Sequence, residues 1–236
     1  MTTRTLLYVP IIHGDRDLGK IGTVVEKRSA EICGKEHWER HKKVVTRFWK
    51  TIEDYFKNLD VIGLKIYQDG LIAEGDMGMK IIEEGAAKGS HNYQIILDLI
   101  KRGGKIQKTE DVSLLRMEYE RILRLAQIRS PWERGTAQIV NGFSEDLLLE
   151  KRDRFIASTI NETLMKEETG VLFVGAFHDV RSRLPDDIAV EEVKIREKVK
   201  DYFKLLISGG DEKKFNELAM YLMSVVRCPL SVATDH

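Results

Sequence analysis

The stretch VLFVGAFHDV, residues 171–180, decides the fold class. Its first part, 171–177, is apolar or small throughout and carries no charge, and it gives way at once to His178 and Asp179. A short apolar run stopped by Gly170 on one side and polar residues on the other predicts a strand buried on both faces. Such strands belong to parallel sheets covered by helices. A second run, TLLYVPII at 5–12, repeats the pattern and also leads straight into a histidine, His13, with Gly14 and Asp15 after it. Pro10 within that run predicts a bulge or the end of the strand, because proline brings no N–H to a ladder.

Working outward, DVIGLKIY (60–67), KIQK (105–108) and residues 188–193 are the further strand candidates. Between them the apolar period changes from continuous to three- and four-residue steps, the mark of amphipathic helices. Val45, Phe48, Ile52, Tyr55 and Leu59 place one helix over 36–59, and others are predicted over 76–87, after Ser90 (a cap, with Ile95, Ile96, Leu99 and Ile100 inside), and over 111–128. Residues 131–142 pattern poorly and predict a loop. Ser144 would cap a long helix reaching 168, with Leu148, Phe155, Ile160 and Leu164 inward, and two helices near 196–207 and 212–226 close the chain. Strands alternating with helices predict an α/β protein with a mostly parallel central sheet flanked by helices. No linker or composition shift divides residues 1–236, so one domain is expected, with the C-terminal helices at about 194–228 packing on it.

Composition narrows the function classes. The 236 residues hold 38 basic and 38 acidic side chains, so the net charge is zero and a dedicated nucleic-acid binder is not expected. Hydrophobic content of 42% argues against a disordered chain. Two distant cysteines, Cys33 and Cys228, form no CxxC pair and support neither a zinc ribbon nor a disulfide framework. The N-terminus lacks the apolar core of a signal peptide, and no stretch nears the roughly 18 apolar residues of a membrane span. The expectation is a soluble, cytoplasmic protein that binds neither nucleic acid nor membrane. Fingerprints of the P-loop, the dinucleotide turn GxGxxG and the serine-hydrolase elbow GxSxG are all missing.

Chemistry is expected where apolar strands end, because ligands of open parallel sheets gather beyond the carboxyl ends of the strands. His13 and His178 both follow such strands, each with an aspartate within two residues: Asp15 and Asp179. A neutral imidazole serves as a general base near pH 7 or as a metal ligand, and a carboxylate orients it or completes the metal site. Glu110 lies just past the third strand, where it could alternatively open the next helix. Arg152, in EKRDRFIAST, can point inward to hold a carboxylate, or belong with Asp153 to a solvated ion-paired face. The pair His37 and His41 in HWERH nearly imitates HExxH, but the glutamate falls one position late, and a charged solvated face is the expectation there. Trp38, Phe48 and Trp49 are expected in the core or on a contact face.

PIIH at 10–13, KTED at 108–111, EKRD at 150–153 and GAFH at 175–178 together resemble the superfamily of TraB/Tiki, erythromycin esterase and ChaN-like proteins. The resemblance implies parallel strands and a site between two strand-end histidines. It also implies water activated by His and Glu, as in the esterases, metal-dependent proteolysis, as in Tiki-like members, or haem binding, as in ChaN-like ones. Two positions depart from the pattern. Pro10 replaces the usual glycine of the first motif, and Lys65 stands where a glutamate commonly ends the second strand, with Asp69 and Glu74 the nearby carboxylates that could replace it.

The expected function is therefore hydrolysis of an ester, amide or peptide bond in a small-molecule or peptide substrate, with His13, Glu110, Arg152 and His178 as catalytic residues. Either one histidine activates water, or a divalent metal held by His13, Asp15, His178 and Asp179 does so. The competing expectation is a non-enzymatic protein holding haem, a metal or a peptide in the same cleft. A homo-oligomer is left open.

Overall fold

A computed structural model describes residues 3–12, 34–127 and 131–226, with the side chains of 125–146 excepted. The elements are β1 (Arg4–Ile11), α1 (Lys35–Lys57), β2 (Lys65–Gln68), α2 (Gly75–Ala87), α3 (His91–Lys101), β3 (Lys105–Gln107), α4 (Val112–Gln127), α5 (Pro131–Thr163), β4 (Thr169–Gly175), β5 (Ile188–Glu192), α6 (Arg196–Ser208) and α7 (Glu212–Met223). The five strands form one sheet in the order β3-β2-β4-β1-β5, and every pairing is parallel. Among the described residues no helix is long and apolar enough to cross a membrane.

Both central strands are apolar without interruption because both of their faces are covered. Leu7, Val9 and Ile11 of β1, with Val171 and Phe173 of β4, pack on α1, α3, α6 and α7 through Phe48, Ile52, Phe56, Leu99, Val199 and Leu222. Leu6, Tyr8, Leu172 and Val174 face the other way, onto Ile156, Ala157, Ile160 and Leu164 at the end of α5 and the loop beyond. The aromatic residues Trp38, Phe48, Trp49 and Phe56 of α1 are core residues. Pro10 stands inside β1, opposite Val174. It is tolerated because β5 pairs only as far as Tyr8, so the side of β1 where a Pro10 N–H would point has no partner strand left.

The strand order has a chiral logic. From β1 through β2 to β3 the chain advances toward one edge, and right-handed crossovers put the connecting helices α1 and α3 on one face. From β3 through β4 to β5 it advances the opposite way, so α5 and the loop with Val180 cover the other face. β4 thus lies between two strands, β2 and β1, whose onward connections leave on the face opposite to its own. A crevice opens at the carboxyl ends where neighbouring strands part in this way.

Several boundaries differ from the sequence expectation. The second strand is confined to Lys65–Gln68, since Asp60 accepts the Ile62 N–H and Gly63 adopts a φ of 77°, bending 60–64 into a turn. β4 stops at Gly175, where the His178 N–H closes a turn onto the Gly175 carbonyl. Residues 131–142 are not a loop: helix α5 begins at Pro131, a residue suited to a first helical position, and Ser144 lies inside it. That helix ends at Thr163 rather than near 168. Ser90 does cap α3, its Oγ accepting the Tyr93 N–H, and Asp111 opens α4 by accepting from Ser113 and Leu114.

Candidate functional site

Three strand ends and one helix converge at the carboxyl edge of the sheet. Asp69 directly follows β2, Thr109 and Glu110 follow β3, His178 follows β4, and Arg152 and Asp153 look in from α5. All six are buried. The backbone sets them there: the Asp69 N–H donates to the Phe173 carbonyl at 2.8 Å, and the Thr109 and Glu110 N–H groups both donate to the Leu71 carbonyl. Arg152 and Asp153 are neighbours on the inward face of a helix whose Lys151 and Arg154 are exposed.

Arg152 is the hub. Its Nε donates to both Glu110 oxygens at 3.2 and 3.3 Å, and its Nη2 reaches Glu110 Oε1 and Asp69 Oδ1, each at 2.5 Å. Its Nη1 donates to Glu118 of α4. Burial works against the charge on Arg152, but the carboxylates around it hold the guanidinium firmly protonated. Glu110, fully enclosed, responds in the opposite sense. Desolvation pushes its carboxyl up to about 7, against the lowering pull of Arg152, and Asp69 adds to the rise.

His178 sits between two carboxylates. Nδ1 lies 2.6 Å from Asp153 Oδ1, and Nε2 lies 3.5 Å from Asp69 Oδ2. Burial alone would lower the imidazole, but Asp69 and the hydrogen-bonded Asp153 raise it above the ordinary histidine range. Each carboxylate is itself anchored by a backbone N–H, Asp69 Oδ2 by Gly175 at 3.1 Å and Asp153 Oδ2 by Asp179 at 2.8 Å. The His178 carbonyl accepts from the Tyr8 hydroxyl at 3.3 Å and from Arg196 Nη1. The ring is therefore fixed at Nδ1 and at its backbone, with Nε2 facing Asp69. A parallel chain of amides adjoins it, with Asn92 Nδ2 donating to Gln68 Oε1 and Gln68 Nε2 to the Asp69 carbonyl.

Of the residues expected from the sequence, Glu110, Arg152 and His178 meet in this cluster, joined through Asp69. His13 and Asp15 lie outside the described residues, as do Cys33 and Cys228. Asp179 contributes its N–H to Asp153 while its carboxylate faces Arg196 at 3.4 Å and Arg183 at 3.9 Å. Among the described residues no group of three or more His, Cys, Asp or Glu could hold a metal ion. Of the carboxylates near Lys65, Asp69 lies in the cluster, whereas Glu74 is exposed at the start of α2 and Lys65 itself pairs with Glu168 at 3.7 Å.

Among the described residues the pair in HWERH belongs to no group that could hold a metal, and only His37 keeps the expected partial exposure. His41 is buried with Nδ1 3.1 Å from the Tyr202 hydroxyl, while His37 packs at a tilt against Phe215 and approaches Glu212. Sequence reasoning passed lightly over Asp153 and missed Glu118. Asp69 stood in plain sight, since it follows a strand as directly as His178 does. Asp153 and Glu118 carried no such signal, because acidic residues on charged helices are common and their direction depends on the packing. Compared with family models, with curated proteins and with solved structures, the chain matches none.

Proposed function

We propose that the chain is a hydrolase whose acid–base pair is Glu110 and His178. The observation that carries this reading is the His178 ring held 2.6 Å from Asp153 and facing, across Asp69, the guanidinium that binds Glu110. Two titratable groups thus share one charged network, and both hold their protons above their ordinary ranges. Glu110, with its carboxyl near 7, is suited to accept a proton, and His178, whose imidazole Asp69 and Asp153 raise, is suited to donate one.

In this reading Glu110 takes a proton from water as the water oxygen bonds to the carbonyl carbon of an ester, amide or peptide. Arg152 stabilises the negative charge that develops on the carbonyl oxygen. As the bond to the leaving oxygen or nitrogen breaks, His178 Nε2 gives that atom its proton. Asp153 orients the ring through Nδ1, and Asp69 links the ring to Arg152. The proton gained by Glu110 returns to His178 through the network or solvent, so the cycle closes without a net change in the protein. The likeness of PIIH, KTED, EKRD and GAFH to esterase-containing relatives supports the same class of chemistry.

The test is a panel of aryl esters, anilides and short peptides, with the wild-type chain beside Glu110→Gln and His178→Asn. The expected outcome is hydrolysis by wild type and a loss of about 10²–10⁴-fold in each variant, the usual range for a single acid–base group. Turnover that survives both substitutions, or no turnover above the buffer rate on any member of the panel, refutes the proposal. In the second case, saturable binding of the same compounds would favour a binding protein.

A further inference from the structure

The hub arginine has three carboxylate partners, and they are not equivalent. Asp69 and Glu110 are buried and come from strand ends. Glu118, whose side chain is 23% exposed against 4% for Arg152, comes from α4. Over 112–124, where side chains of α4 are described, no residue is buried, in contrast to the eight buried residues of α1 or the four of α3. Val112, Met117 and Tyr119 are exposed, and Arg116 spends its charge on Glu120 one turn along the same helix. Among the described side chains of α4, Leu114, Leu115, Ile122 and Leu123 are half-buried and none is fully buried, and the Glu118–Arg152 contact is an inward polar anchor. Elements with few buried contacts open at low cost.

We infer that the Glu118 carboxylate occupies on Arg152 Nη1 the place of a substrate carboxylate, so that the site takes carboxylate-bearing compounds and α4 yields to admit them. This deepens the hydrolase reading and rests on it for the word substrate, though the subsite itself is a matter of binding. The chemistry is specific. Nε and Nη2 of Arg152 are turned to Glu110 and Asp69, which are enclosed, with Asp69 Oδ2 further held by the Gly175 N–H. Only Nη1 is served from a partly exposed side chain. A planar carboxylate is the natural exchange partner for another carboxylate on a guanidinium edge, since it restores the charge and the hydrogen bond at once. A neutral ligand would leave Arg152 short of both.

The experiment is calorimetric titration of the full chain with benzoate and acetate, using benzamide and acetamide as neutral controls, for wild type, Glu118→Ala, Glu118→Gln and the double variant Glu118→Ala/Arg152→Gln. Glu118→Ala is expected to bind both carboxylates about tenfold or more tightly than wild type, the scale of one charge-assisted hydrogen bond. The amides should not gain, and the double variant should lose the gain. Glu118→Gln keeps the side chain's size and should fall between the two, which keeps the test open if the alanine variant unfolds. Carboxylate affinity unchanged by both Glu118 substitutions, or an equal gain for the amides, overturns the inference. Because no turnover is read, a failed titration alongside Glu110- and His178-dependent hydrolysis removes the subsite alone. A successful titration with no hydrolysis anywhere removes the catalytic reading alone.

Discussion

Arg152→Met isolates what the buried cation does for the folded state. The substitution keeps an unbranched side chain but leaves Asp69, Glu110 and Glu118 without the guanidinium they face. Removing one partner of a buried ion pair costs about 3–5 kcal/mol. Glu110 adds a pH-dependent part. Its carboxyl is raised from an ordinary 4.5 to about 7, so the folded state binds that proton more tightly than the unfolded chain. Its contribution to stability is then full below pH 4.5 and is lost as pH rises through about 7. Without Arg152 the folded-state value rises further, and the loss continues above neutrality at about 1.4 kcal/mol per pH unit. At about pH 5.5 Glu110 is neutral in both proteins and adds no difference. The variant should therefore be destabilised at pH 5.5, and by about 1.4 kcal/mol more at pH 8. For a chain of this size that increment is roughly 3–6 °C in Tm. Urea denaturation followed by tryptophan fluorescence and circular dichroism at the two pH values measures it. A destabilisation equal at both values, or smaller at pH 8, would refute the coupling of Glu110 to Arg152.

Three further outcomes are expected. Asp153→Asn should lower the titration of the His178 ring in a proton NMR pH series, because the carboxylate that helps to raise it is gone, and an unshifted ring would show that Asp69 suffices. His41, buried and lowered to about 4 from 6.5, stabilises the fold above pH 6.5 and forfeits that contribution as pH falls toward 4. His41→Phe should flatten the acid limb of the wild-type stability curve by about 1.4 kcal/mol per unit across that window, and parallel acid limbs would count against it. Gly78→Ala would set a Cβ 2.5 Å from the Ala73 carbonyl oxygen and 2.8 Å from Ile106 Cδ1, with an expected cost of about 1–3 kcal/mol in denaturant titrations. A wild-type midpoint there would mean that the start of α2 shifts freely.

Much of the architecture was legible in local pattern. The runs at 5–12 and 171–177 announced buried strands because a strand covered on both faces needs apolar residues at every position. Helices with a regular apolar step, such as 36–59 and 196–207, were placed to within a few residues. The errors fell where polar detail outweighs pattern. An aspartate turn and Gly63 shortened the strand expected at 60–67, and the weakly patterned 131–142 proved helical from Pro131 onward.

For the site, the sequence by itself determined which residues stand at strand ends, and so singled out His178 and Glu110. Strand ends are local, and the carboxyl edge of a parallel sheet is where its chemistry gathers. It could not say what those residues meet. Arg152 joins Asp69 and Glu110 across separations of 83 and 42 residues, and Asp153 reaches His178 across 25. Those meetings exist because β4 inserts between β2 and β1 and because α5 crosses the face opposite to α1 and α3. A charged residue in a helix reads the same whether it ends in water or in a crevice. Only the order of the strands and the faces taken by their connections turned one arginine and one aspartate of EKRDR inward.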